Sequence, residues 1–458
     1  MRFTTGCLLW VILTASTLHG QQTQFRGSVP TGAPSSTPLA LTLHDAIERG
    51  LKTNLGLLLS DSATESARGE RLQTLSALIP QLSGRAGETD ETLDLKTVGF
   101  NFHFPGVSIP TVVGPFHYTD LRASASWTAF DYAALKHYRA SRENQRAAQL
   151  SMLDARDLVV QATANGYLQI IADASRVEAI RSQVETSQAL YDRAVDQQTA
   201  GTAAGIDVLR SQVELKQQLQ RLLAQTNQFE KDKLTLGRVI GLPAGQAFTL
   251  SETVPFGALA SMTQDQALRT AVQQRPDLQS SRARLRAAEE AVKAAHGERY
   301  PTAQVTADYG DVTTPGESHG TFSVVASAKI SLFDGGRIAG DIIQARSALK
   351  QRQDELADLG GQVEYQVRTA FLDIRSAADQ VAVARDNLDL ANQTLVQARD
   401  RFSAGVSDTV EVVQAQESVA TANDTLISAL FAHNVAKVAL VRALGGTEQI
   451  IQTLLQVK

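Results

Sequence analysis

Gly201-Thr202-Ala203-Ala204-Gly205-Ile206-Asp207-Val208-Leu209-Arg210-Ser211-Gln212 lines up with Gly405-Val406-Ser407-Asp408-Thr409-Val410-Glu411-Val412-Val413-Gln414-Ala415-Gln416. The offset, 405 less 201, is 204. It holds at Tyr167-Leu168 against Phe371-Leu372, and at Arg238 and Gly241 against Arg442 and Gly445. Phe130-Asp131 matches Phe333-Asp334 at offset 203, while Ala46 and Pro80 match Ala267 and Pro301 at offset 221. An order of features kept with few changes of spacing is one folding unit duplicated within the chain. The repeats run over 40–241 and 263–446, with a linker at 242–262 and a tail at 447–458.

Working outward from the paired turns, each repeat has the same parts. A helix opens behind Thr42 or Thr263, where the hydroxyl and Asp45 or Gln266 three residues on suggest a capped N-terminus. It ends before Pro80 or Pro301, because a residue preceding proline avoids the helical region. Alternating segments follow: Gln81 to about Thr89 and Leu121–Thr128 in the first repeat, Thr302–Tyr309 and Phe322–Ile330 in the second. Period two marks strands with one apolar face, so each repeat offers one hairpin. The first has a long connection from about Leu93 to His117, the second a short one near Thr313-Thr314-Pro315-Gly316. Then Asp131 to about Gln198, and Asp334 to about Phe402, run without proline. At 1.5 Å per residue each helix spans roughly 100 Å. Asp131 and Asp334 are placed to cap them.

The long helices carry a repeat of 3.5 residues, the coiled-coil spacing. In the second repeat the expected seam is Val367, Phe371, Ile374, Ala378, Val381, Arg385, Leu388, Asn392, Leu395, Arg399 and Phe402. Its first-repeat counterpart includes Tyr167, Ala174, Arg181, Gln188 and Val195. Polar interruptions suit a water-walled tube better than a solid rod. After each glycine turn the chain returns through a shorter helix. The returning and opening helices, about 35 and 36 residues, together match one long helix, which fits a cylinder of antiparallel helices. Four strands per chain cannot close a barrel, and an open edge in hydrocarbon leaves backbone groups unpaired. Three copies would supply twelve strands.

The ends and composition agree. Arg2, the apolar run Cys7–Leu13 and the small residues Ala15, Ser16 and Thr17 read as an export signal over 1–20. Residues 21–39, rich in Gly and Pro, read as a flexible leader. Cys7 is the only cysteine, so no disulfide or cysteine metal site is expected in the exported chain. The 43 Lys+Arg and 48 Asp+Glu are interspersed, which argues against a nucleic-acid surface. No stretch of 18 uninterrupted apolar residues suggests a transmembrane helix. The eight histidines form no H-x-x-x-H pair, and Gly335-Gly336 is not followed by Gly-Lys-Ser/Thr. No motif sets a nucleophile beside a base. The expectation is a non-enzyme with no cofactor and no metal.

With these residues in view, the chain resembles the TolC-type outer-membrane efflux factors from Ala40 to Gly446. The paired turns and the Phe130-Asp131 and Phe333-Asp334-Gly335-Gly336 junctions carry the resemblance. It implies a mixed architecture: a membrane β-barrel of twelve strands shared by a homotrimer, and a long α-helical barrel extending into the periplasm. It implies a passive duct for small molecules or proteins, working with a periplasmic adaptor (membrane fusion) protein and an inner-membrane transporter. In that family the turns form the periplasmic tip. Glu411 falls at an acidic pore constriction and Gln414 where a second acid often stands; Ser407 replaces a common basic residue. Gly201, Gly405 and Asp207 fall at the turns that meet the adaptor. The plainer readings are turn glycines and helix-terminal acids favoured by the helix dipole. A soluble periplasmic coiled-coil adaptor or spacer is the alternative, against which stand the matched strands in both repeats.

Overall fold

The computed structural model describes residues 25, 27–99, 110–202, 204–252, 256–257, 262–404, 406–407, 409–447 and 451. The expected export signal therefore lies outside the described residues. The chain forms two units. One comprises Met1–Ala63, Ala148–Ser280 and Ala357–Lys458, the other Thr64–Ala147 and Ser281–Leu356.

The second unit carries a four-stranded sheet. Its members are β2 (Gln81–Asp94), β3 (Val112–Phe130), β5 (Thr302–Thr314) and β6 (Glu317–Lys329), paired antiparallel in the order β2-β3-β5-β6. β2 and β3 extend further toward their connection than alternation alone indicated. The register sorts the two faces. Leu82, Gly84 and Ala86 lie beside Ala125, Ala123 and Leu121; these continue across Ala307 and Tyr309 to Val324 and Phe322. Trp127 pairs with Val305, and Val305 with Ala326. In this stretch that face is apolar or glycine, and it turns polar at Asp311, Thr119 and Glu88. The opposite face carries Ser83, Arg85, Arg122, Ser124, Asp308, Thr306, Ser323 and Ser327, with Val325 as an apolar exception. On it Arg122 donates to Asp308 at 2.8 Å, and Ser323 Oγ donates to the same carboxylate at 3.1 Å. β2 and β6 each present an unpaired edge within the chain.

Below the sheet the same unit holds the ends of two helices. α6 (Pro276–Gly297) meets the start of α3 (Tyr132–Thr199) closely enough that a Cβ on Gly297 would stand 2.7 Å from the Tyr132 ring and 3.1 Å from the Ala133 amide nitrogen. Lys136 pairs with Glu290 at 2.9 Å there.

The first unit is helical. Each expected opening helix is two helices: α1 (Leu43–Thr53) with α2 (Leu55–Ser76), and α5 (Gln264–Gln274) with α6. Asn54 makes the first break. It is buried and extended (φ −63°, ψ 127°); its amide donates to the Phe25 carbonyl at 2.8 Å, and its oxygen accepts from Gly56 N at 3.0 Å. Arg275 makes the second because Pro276 follows it, and its backbone is likewise extended (φ −60°, ψ 121°). Both Thr42 and Thr263 form full capping boxes. The segment read as a flexible leader is held at Gly27, Val29 and Thr31 by backbone hydrogen bonds. Val29 N donates to Thr53 O and Leu55 N to Gly27 O, both at 2.9 Å. Leu39–Leu41 forms β1, parallel to β4 (Phe248–Leu250) of the linker.

The coiled-coil seam differs from its expected phase by one residue at every second position. Along α7 (Arg337–Ser403) the buried or half-buried track is Val367, Ala370, Ile374, Ala377, Val381, Ala384, Leu388, Ala391, Leu395, Ala398 and Phe402. Arg385, Asn392 and Arg399 are exposed beside it. The returning helix α8 (Thr409–Leu444) answers with buried Ala415, Ala422, Ala429, Ala436 and Ala443. Alanine every seventh residue on both helices lets their backbones approach closely, so this seam is tight rather than interrupted. The first repeat departs from it. At the equivalent places α3 has Asp173 and Ser187, and α4 (Gly205–Val239) has Ser211, Gln218, Gln225 and Asp232. Gln225 donates to Asp173 at 3.2 Å, and Gln169 to the same carboxylate at 3.0 Å. α8 is apolar enough over one window to pass for a membrane span, yet 56% of that window is buried against the rest of the chain. Val438, Leu440, Val441 and Leu444 there join the core clusters of this unit.

Candidate functional site: the helix turns

At the first turn Gly201 takes the left-handed conformation (φ 73°), and the Thr202 amide closes back onto Gln197 O at 2.9 Å. Only glycine adopts that backbone cheaply. Asp207 lies in the first turn of α4, where Ala204 supplies no side-chain cap, and its carboxylate is 3.6 Å from Arg210. It is a helix-terminal acid with its own counter-ion.

At the second turn Gly405 lies outside the described residues. Val406 N bonds to Arg401 O at 3.1 Å, and α8 starts at Thr409. Glu411, in the first turn of α8, faces Arg401 from the last turn of α7; Nε and Oε1 are 3.1 Å apart. Each charge sits at the helix end its dipole favours. Both side chains stay open to water, 57% and 42% exposed, so the pair contributes only about 0–1 kcal/mol. Arg401 went unread in the sequence, although any helical hairpin brings the last turn of one arm beside the first turn of the next. Gln414 is exposed one turn further along α8. It borders an apolar groove of about 360 Å³ between α4 and α8, floored by Ile206, Leu209, Val213 and Val413.

Farther along the hairpins, two ion pairs tie first-repeat helices to α8. Arg221 on α4 grips Glu417 with both terminal nitrogens, at 2.8 and 3.1 Å. Arg176 on α3 reaches Asp424 at 2.9 Å and also Ser428 and Asp173. At the strand-to-helix junctions, Asp131 accepts from Ala134 N at 2.9 Å, and Asp334 from Gly336 N and Ile338 N at 3.0 and 2.8 Å. Those amides hold the Asp334 carboxyl below its usual range. Among the described residues no group of three or more His, Cys, Asp and Glu side chains could hold a metal ion.

A duplicated chain with a sheet that is apolar on one face and polar on the other, and with paired long helical hairpins, belongs to the class of outer-membrane channels. The family model for the outer membrane efflux protein matches residues 47–242 and 267–446, and the chain is a member of that family. Among its relatives is the toluene efflux pump outer membrane protein TtgF of Pseudomonas putida, 24% identical over 426 residues, covering 88% of this chain and 83% of TtgF. Outer membrane protein OprJ of Pseudomonas aeruginosa is 26% identical over 344 residues, 69% of this chain and 65% of OprJ. In fold the chain is similar to the Campylobacter jejuni CmeC outer membrane channel, with TM-score 0.77, 15% identity, and coverage of 94% of this chain and 95% of CmeC. It is also similar to VceC of Vibrio cholerae, with TM-score 0.74, 18% identity and coverage of 88% and 96%. The chain is a TolC-type outer-membrane efflux protein located in the outer membrane.

Proposed function

We propose that three copies of this chain form a passive duct: a twelve-stranded barrel in the outer membrane, continued by a helical barrel whose turns form the periplasmic tip. An inner-membrane transporter supplies the energy and a periplasmic adaptor bridges the two. The observation that carries the reading is the sheet: four strands with an apolar band on one face and two edges unpaired within the chain need neighbours in hydrocarbon. Cyclic symmetry supplies those neighbours. The adaptor meets the tip at the Gly201 and Gly405 turns and the apolar groove beside them, where Ile206, Leu209 and Val213 are each more than half exposed. Mass measurement in mild detergent should return a trimer. A stable monomer that still conducts would sink the reading.

Glu411 lines the aperture in this reading, with Arg401 as its partner. Fixed charge in a narrow mouth sets the local ion concentration. Arg401→Gln removes three cations from the mouth and should raise cation selectivity. Glu411→Gln leaves three guanidinium groups unanswered and should shift selectivity toward anions. Reversal potentials across a salt gradient read both, and no shift from either variant in an assembled trimer would remove Glu411 from the aperture.

A further inference from the structure

α3, α4, α7 and α8 line a cavity of about 830 Å³ between the two hairpins. That volume lies within the range of about 300–1,000 Å³ usual for small-molecule sites, and far above the roughly 30 Å³ that one water takes. All of its walls come from one chain. One wall is apolar, with Leu395 of α7 beside Val419, Leu426 and Ile427 of α8. The charged residues of the lining are Glu178 and Arg399, both exposed and of opposite sign.

Two glutamines reach this cavity, one from each hairpin. Gln218 of α4 is 2% exposed and Gln416 of α8 is 8% exposed. The side-chain oxygen of each is buried without a hydrogen-bond partner. Gln218 cannot turn its oxygen away. Its amide nitrogen donates to Glu214 at 2.7 Å, and a flipped amide would set oxygen against a carboxylate. A buried acceptor without a donor is costly, and folded proteins rarely keep one. Two of them in one cavity call for donors that the chain does not supply.

We propose that this cavity binds an uncharged, drug-sized amphipathic molecule. It donates N–H or O–H groups to Gln218 and Gln416 and lays its apolar body against Leu395, Val419, Leu426 and Ile427. Glu178 and Arg399 cancel, so the lining favours no net charge. Because the site spans both hairpins, a bound molecule ties them together beside the Arg221–Glu417 and Arg176–Asp424 pairs. The site is complete in a single chain and does not depend on the barrel reading.

A bis(fluorophenyl)urea is a matched probe, with two N–H donors on one edge, two apolar rings and no charge. Fluorine NMR of the assembled protein in mild detergent should show saturable binding that empty micelles lack. Gln218→Leu and Gln416→Leu keep much of the side-chain shape and remove the acceptor. Each should weaken urea binding about 3- to 10-fold, as the loss of one hydrogen bond does. Gln416→Leu stands alone if Gln218→Leu, which also takes a donor from Glu214, fails to assemble. Difluorobenzophenone, with similar rings and no N–H, should bind the parent more weakly than the urea and lose nothing in Gln416→Leu. Equal affinity for the two probes, or urea affinity unchanged in Gln416→Leu, would reduce the cavity to a nonspecific apolar surface and overturn the proposal. An absence of saturable binding would mean that a neighbouring copy or water fills the space, and overturns it as well.

Discussion

Val324→Arg should remove most of the assembled trimer from the outer membrane, and Ala326→Arg should do nearly the same. Both positions lie on the apolar face, Val324 beside Ala307 and Ala326 beside Val305. An arginine facing lipid near the membrane centre costs roughly 2–4 kcal/mol. Each trimer would bear that cost three times. Ser323→Arg and Ser327→Arg place the same charge on the opposite face, where Arg122 and Asp308 already sit among hydroxyls. They should assemble at levels near the parent. Native gel quantification of trimer extracted from outer membranes compares the four directly. Equal loss, or equal tolerance, at all four would mean that the two faces are not divided between lipid and lumen.

That division was legible in the sequence because period two survives any choice of partner. Val324 and Ala326 fall on one side and Ser323 and Ser327 on the other wherever the strand pairs. The paired turns were legible because duplication marks them twice. Other features were harder to read for physical reasons that differ. The break between α5 and α6 was not anticipated although Pro276 signals it, since the residue before proline leaves the helical region. Asn54 gave no comparable signal, because the break there depends on the Phe25 carbonyl, a partner 29 residues away. The leader looked mobile from its Gly and Pro content, but the Val29 amide bonds to Thr53 and the Gly27 carbonyl accepts from Leu55. Arg401 carries no local sign of its role, because its contact with Glu411 exists only once the hairpin closes. The duct's cargo is not written in these residues at all, since a passive wall need not be complementary to what passes through it.

The seam teaches the same lesson more sharply, and the phase error can be tested on neighbouring residues. Alternating steps of three and four can be started in either order, and the larger side chains drew the reading toward Arg385, Asn392 and Arg399. The structure instead buries Ala384, which packs in one cluster with Val381, Ala429, Leu426 and Leu430. Ala384→Leu forces three more carbons into that contact and should cost about 1–3 kcal/mol, as overpacking of a filled core does. Asn392→Leu, on the exposed side, should stay within about 0.5 kcal/mol. The first repeat should answer in the opposite sense. Asp173, where the second repeat has Ala377, is almost fully buried. Burial pushes its carboxyl pKa up; Gln169 and Arg176 oppose this, and the neighbouring Asp232 adds to it. A carboxyl raised in the folded state binds its proton more tightly there than when unfolded. The charged form is therefore a penalty that grows as pH rises above the ordinary value of 3.8 toward the folded value, and it is fully present beyond that. Asp173→Asn should raise the thermal midpoint of the trimer by a few degrees at neutral pH, and the gain should shrink as the solution is made acidic. Midpoints at one fixed scan rate compare the variants on equal terms. A gain that persists undiminished in acid would show that packing, not the buried charge, sets the stability of this seam.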